Sequence, residues 1–283
     1  MWYTNGTRLH TGVAKIGFKH PHILHSTFAL TALHLARCRP DRKEEYVKIA
    51  NHHYERALAL VTPEIAKIHP DNCDAVLGTV HAMCFISWAR GPQPGEYLAF
   101  AREGQSDWLL MFRGVRATLE SIGKQHYSHA RTAAAQKKAP APKKERTLPV
   151  LEVPGEYDEQ LDRLHEYVEF ISKDTPAFEG DMMAVQGLRA VFENRYQGKD
   201  SEFHVAFGWL YCVPDDFLDR LQQRTSTALI VYAHFIVLLH DMERFWYMKG
   251  WTHHVMSGIF EALDDEHMLW ITWPMAQVGW IAP

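Results

Sequence analysis

Cysteine is scarce in this chain, with four among 283 residues: Cys38, Cys73, Cys84 and Cys212. None forms a Cys-x-x-Cys pair, so a zinc ribbon, a redox dithiol and a disulfide framework are all excluded. Each sits in apolar or helical sequence, which predicts buried free thiols in a reducing compartment. Alternating strand-like runs are missing too, and no internal repeat is visible, which leaves an all-α class. No apolar stretch reaches the roughly 20 residues of a bilayer span. Residues 1–20 lack the apolar core of a secretory signal, and an intracellular protein is expected. The formal charge of −4 argues against a basic nucleic-acid-binding face filling the chain.

The catalytic signatures are equally absent. There is no His-Glu-x-x-His, no Gly-x-Gly-x-x-Gly after a strand, no phosphate-binding loop and no Gly-x-Ser-x-Gly elbow. Nothing pairs a nucleophile with a base. No catalytic residue, metal ligand or cofactor is therefore assigned. Histidine is plentiful, with eighteen, but His52-His53 and His253-His254 are adjacent pairs that point apart on a helix. The spacing would allow His20, His22 and His25 to converge on one helix end, but core, capping and surface roles are the default for these histidines. Two acidic clusters, Asp215-Asp216 with Asp219 and Asp264-Asp265-Glu266, resemble magnesium-diphosphate sites on aspartate-rich helices. The first follows Pro214 and falls in a helical first turn, where the helix dipole favours acid; the second sits where a helix ends.

What the chain does have is apolar mass. Hydrophobic residues make up 47% and aromatics 12%, enough for a sizeable core. Residues 225–251 are the most apolar. Leu229, Tyr232, Ala233, Ile236, Leu239 and His240 share one stripe, while Ile230, Val231, Phe235, Val237 and Leu238 fill the other side. A helix apolar all round is buried all round. The fold expected is a single irregular multi-helix bundle around this buried central helix. Pro21 opens a helix to about Arg39, and Asp41 caps a second over 42–61. Further helices are expected at 73–88, 96–112, 115–122, 157–172, 178–196, 203–211 and 252–263. A last segment covers 267–280. Residues 1–19 form a lead-in, and 20–283 form the domain. A flexible basic linker at 124–149 interrupts it. From Lys124 to Arg146 the count is seven Lys/Arg against one Glu, which suits a disordered surface loop or a nuclear-import patch.

Phe245, Trp246, Tyr247 and Trp251, with Trp270 and Trp273 beyond, offer rings for an apolar pocket or for ordinary aromatic core. Three ordered patches then carry a resemblance. The first is His20-Pro21, Leu24-His25, Ala29-Leu30, Ala32 to Ala36, Tyr46, and His53-Tyr54 with Ala57-Leu58. The second is Asn72 to Ala75 leading to Trp108, Phe112, Arg113 and Gly114. The third is Ala228 to Leu239, then Trp246-x-x-x-Gly250-Trp251, then Trp270-Ile271-x-Trp273-Pro274. Together they resemble the C-terminal regulatory domain of fungal binuclear-zinc-cluster (Zn2Cys6) transcription factors, of the sterol-uptake-control type. The resemblance runs from about residue 18 to the C-terminus, outside the basic linker.

That resemblance implies an all-helical, often dimeric, nuclear domain that couples sterol level to transcription and is able to shuttle to the cytoplasm. It implies a sterol-like ligand held by Phe235, Trp246, Gly250, Trp251, Trp270 and Trp273, with Gly250 permitting a tight turn. The family's six-cysteine zinc module is not in this chain, so direct nucleic-acid contact from these residues is not expected. Two alternatives stand beside this: an enzyme on a prenyl-type substrate using Asp215, Asp216 and Asp219, and a pure dimerisation scaffold.

Overall fold

The structure, a computed structural model, describes residues 16–69, 71–118, 120, 154–197 and 208–283. Among them every regular element is a helix; two isolated bridges, Gln93 to Glu96 and Glu96 to Ala101, are the only extended pairings. The expected basic linker at 124–149 lies outside the described residues, as does residue 1–15 of the lead-in; residues 16–19 are helical. The chain divides into two compact units, Met1–Arg90 with Leu110–Lys143 and Gly91–Leu109 with Lys144–Pro283.

The first unit is built on α1 (Pro21–Cys38), α2 (Lys43–Ile65) and α3 (Cys73–Ala89). Pro21 occupies the first helical turn, where a missing N–H costs nothing. A single 3-10 turn, Pro40–Arg42, joins α1 to α2 as a helical hairpin. Asp41 lies inside that turn, and α2 starts after Arg42 with no side-chain cap, unlike the expected Asp41 cap. The α1–α2 contact uses small residues. Ala29, Ala32 and Ala36 on α1 and Ala50 and Ala57 on α2 are buried, which lets the two backbones approach closely. Ile49 and Leu58 on α2 flank its buried alanines from opposite sides and are 39% and 43% exposed. The α3 helix follows no single stripe, and Val76, Val80, Met83, Cys84 and Ile86 bury different sides of it.

The second unit contains α4 (Tyr157–Ser172), α5 (Phe178–Tyr196), α6 (Asp215–Gln222), α7 (Ser226–His240), α8 (Trp251–Ala262) and α9 (Thr272–Gln277). The expected central helix is α7: every residue from Ala228 to Leu239 is buried. It packs against α5, α6, α8 and α9. Burying each large aliphatic or aromatic side chain there stabilises the fold by about 1.5–3 kcal/mol. Trp209 stacks on Phe235 with centroids 4.4 Å apart, and its Nε1 donates to the Ala184 carbonyl at 2.9 Å. Asp181, buried on α5, accepts from Arg220 Nη2 at 2.7 Å and from Ser172 Oγ at 2.6 Å.

Two stretches depart from the sequence expectation. The sequence predicts separate helices over 96–112 and 115–122. Helical backbone instead runs through 107–118, and 96–106 is irregular. Leu98 at φ 62°, Gly95 at φ 82° and Gly104 at φ 68° are all left-handed, which no right-handed helix accommodates. Tertiary partners take over the backbone polar groups there. Tyr232 accepts from the Ala99 N–H and donates to the Tyr97 carbonyl, each at 3.4 Å. Tyr97 to Ala101 are buried as an ordered core segment without secondary structure. The thiols depart as well: Cys73 and Cys84 are buried, but Cys38 and Cys212 are exposed.

Candidate functional site

A cavity of about 500 Å³ opens in the second unit, lined by Gln160, Arg163, His234, Leu269, Trp270, Thr272 and Trp273. Gln160 and Arg163 stand one turn apart on the start of α4, so they share a face. His234 comes from the middle of α7. Leu269 and Trp270 belong to a 3-10 turn, Met268–Ile271, that runs directly into α9 with Thr272 and Trp273. Pro274 falls in the first turn of α9, where the helix needs no N–H from it.

Local contacts fix each wall. Trp273 Nε1 donates to the Gly155 carbonyl at 2.9 Å, which ties α9 to the entry of α4. Its ring stacks on His234 with centroids 5.7 Å apart. Trp270 lies 4.1 Å from the ring of Tyr167 on α4. Thr272 Oγ1 donates back to the Leu269 carbonyl at 2.9 Å. Leu269 remains 78% exposed at the rim.

His234 is the group with unusual chemistry. It is buried, and burial pushes its pKa down to about 4, opposed by a hydrogen bond from Nδ1 to the Ile230 carbonyl. That contact is 2.8 Å, and a carbonyl only accepts, so Nδ1 carries the proton. The neutral ring then holds its lone pair on Nε2. The site combines indole walls, an acceptor of the imidazole type, and amide and guanidinium donors from Gln160 and Arg163. Such a set accommodates an apolar body with a hydroxyl or similar polar end.

Of the residues expected at the site, the structure brings Trp270 and Trp273 together at this cavity. Phe235 is elsewhere, fully buried in the Trp209 stack. Trp251 is buried in the first turn of α8, against His254. Trp246 is half-buried and meets Tyr247 edge-on at 5.7 Å. Gly250 makes the expected tight turn at φ 89°. Its N–H donates to Glu243 Oε2 at 2.7 Å, while Glu243 Oε1 accepts from the N–H and hydroxyl of Thr252. Glu243 thereby serves the start of α8, a role that sequence spacing did not reveal. His234 did leave a signal, as a polar interruption in the most apolar run. Gln160 and Arg163 left none.

The acidic clusters have structural partners. Asp216 pairs with Arg220 Nη1 at 2.8 Å, one turn along α6. Asp264 accepts from the His267 N–H at 3.1 Å and contacts the His267 ring. The three N-terminal histidines do not all converge: His25 Nδ1 meets His53 Nδ1 at 2.8 Å, while His20 and His22 stay together near Glu64. Burial lowers the pKa of His22, against the raising influence of Glu64. No helix among the described residues is long and apolar enough to cross a membrane.

Residues 11–147, just under half of the chain, match the family model described as the fungal specific transcription factor domain. This match supports a role in transcription regulation, for which nuclear localisation is the usual setting and catalysis is not the usual business. No curated protein and no solved structure matches the chain.

Proposed function

We propose that this chain is the effector-sensing domain of a fungal transcription factor, and that it binds a sterol or similar apolar molecule to control transcription by RNA polymerase II. Support for the regulatory half comes from the family match over 11–147. The ligand half rests on the cavity of about 500 Å³ walled by Trp270, Trp273 and Leu269, with the neutral His234 inside. Its volume falls within the roughly 300–1,000 Å³ of small-molecule pockets. An apolar body against those indoles gains about 25 cal/mol per Å² removed from water. A single hydroxyl on Nε2 of His234, or on Gln160, sets its orientation.

A fluorescent sterol titrated into purified protein is expected to bind saturably at micromolar concentration or tighter. Trp273→Ala removes one wall and weakens binding by about tenfold or more, as expected for a buried aromatic anchor. Trp246→Ala, which changes a residue away from the cavity, leaves affinity unchanged. Absence of saturable binding to any sterol or lipid overturns the ligand half.

A homodimer belongs to the same proposal. Phe28 and Leu35, two turns apart on α1, and Ile49, one turn before His53 on α2, are 38–48% exposed, and Phe28 rests on the ring of His53. An apolar surface of this kind favours association.

A further inference from the structure

Glu64, near the end of α2, faces two imidazoles from the start of α1. His20 Nδ1 lies 3.7 Å and His22 Nε2 3.5 Å from the same carboxylate oxygen, Oε2. The three ligand-type atoms lie within 4.8 Å of one another. His22 is fully buried, and its Nε2 has no hydrogen-bond partner. A buried ring nitrogen left this way carries a desolvation cost that native proteins rarely leave uncompensated. Its other nitrogen, Nδ1, is held by Thr79 Oγ1 at 2.6 Å, which fixes the ring with Nε2 towards the carboxylate.

We propose that His20, His22 and Glu64 bind a divalent first-row metal ion, zinc by ligand type, with the fourth position left to water. In a tetrahedral zinc site with bonds of about 2.0–2.1 Å, neighbouring ligand atoms are about 3.4 Å apart. The two separations to Glu64, 3.5 and 3.7 Å, lie near that edge length, and the third, between the histidines, is no more than 4.8 Å. Two imidazoles and one carboxylate suit zinc and disfavour magnesium or calcium, which take oxygen ligands. The Thr79 contact is the kind of outer partner that orients a metal-bound histidine. Asn72 Nδ2, 3.5 Å from the same Glu64 oxygen, adds a second. A bound ion would clasp the end of α2 to the start of α1, so binding and folding of this unit would be coupled.

Metal-stripped protein titrated with zinc alone, against a chromophoric chelator, is expected to show one site of submicromolar affinity. Glu64→Gln and His20→Asn each weaken it by about tenfold or more, and Thr79→Val by about 10–100-fold. His53→Asn is expected to leave it unchanged. Circular dichroism confirms that each variant is folded, and zinc raises the Tm of the wild type but not of Glu64→Gln. Cobalt in place of zinc should give the intense visible bands of a tetrahedral site. Zinc affinity that is equal in the wild type, Glu64→Gln and His20→Asn overturns the proposal, as does binding only at the level of scattered surface histidines. Sterol binding is measured separately, so the failure of either proposal is distinguishable from that of the other.

Discussion

His234 shows how one polar side chain inside an apolar helix changes the behaviour of its surroundings. Its folded pKa of about 4 lies below the ordinary histidine value of 6.5. Between these values the unfolded chain takes up a proton that the folded chain refuses, so stability rises with pH across that window. The contribution is complete above about pH 6.5 and is lost progressively as the pH falls towards 4. From about pH 7.5 to pH 5 the loss is on the order of 2 kcal/mol. Urea unfolding of wild type and His234→Phe at the two pH values measures this directly. The wild type is expected to lose about that much more than the variant, and equal losses would refute the assignment. Gly250 illustrates a different residue-scale constraint. At φ 89° it occupies backbone space that costs other residues about 1–2 kcal/mol, and Glu243 binds the amide it presents.

Among the elements, α8 and the irregular 96–106 segment depend on each other most closely. Tyr97 lies flat against Gly258, so that a Cβ at 258 would collide with its ring. The same ring stacks on His254 and on Phe100, each at 4.9 Å. Gly258→Ala therefore forces Tyr97 out of its place and is expected to cost about 1–3 kcal/mol. Gly187→Ala, where the added carbon would rest at ordinary contact distance from Trp209, serves as the comparison on α5. Equal Tm values for the two variants would contradict this account. The segment 96–112 reads as a helix because Tyr97, Phe100 and Ala101 have helix-compatible spacing. Left-handed turns at Gly95, Leu98 and Gly104 and hydrogen bonds to Tyr232 outweigh that local preference.

For the molecule as a whole, the family match and the cavity fall on different stretches of the chain. The family match covers all of the described first unit and residues 91–109 of the second, whereas the cavity residues, 160–273, all lie beyond residue 147. Self-association through the exposed face of α1 and α2 is expected to give a dimer mass in light scattering at micromolar concentration. The double substitution Phe28→Asp and Ile49→Asp, both on exposed positions of the side marked by the Phe28–His53 contact, is expected to return the monomer without loss of helicity. A monomeric wild type rejects the dimer, and a dimeric double variant rejects this face as its interface.

The sequence by itself determined the helical class, most helix boundaries and the burial of α7, because these follow from periodicity and from the absence of any polar face on that segment. It also determined the Gly250 turn, since a glycine between two strongly apolar segments has few other uses. Only the tertiary structure decided which rings meet at the cavity. Trp273 stacks on His234 and Trp270 lines the same cavity, while Phe235, one residue further along α7, points into the Trp209 stack. Consecutive helical residues diverge by about 100°, so neighbours in sequence serve different surfaces. The same holds for Glu64, which lies more than forty residues from His20 and His22 in sequence and meets them only through the α1–α2 hairpin.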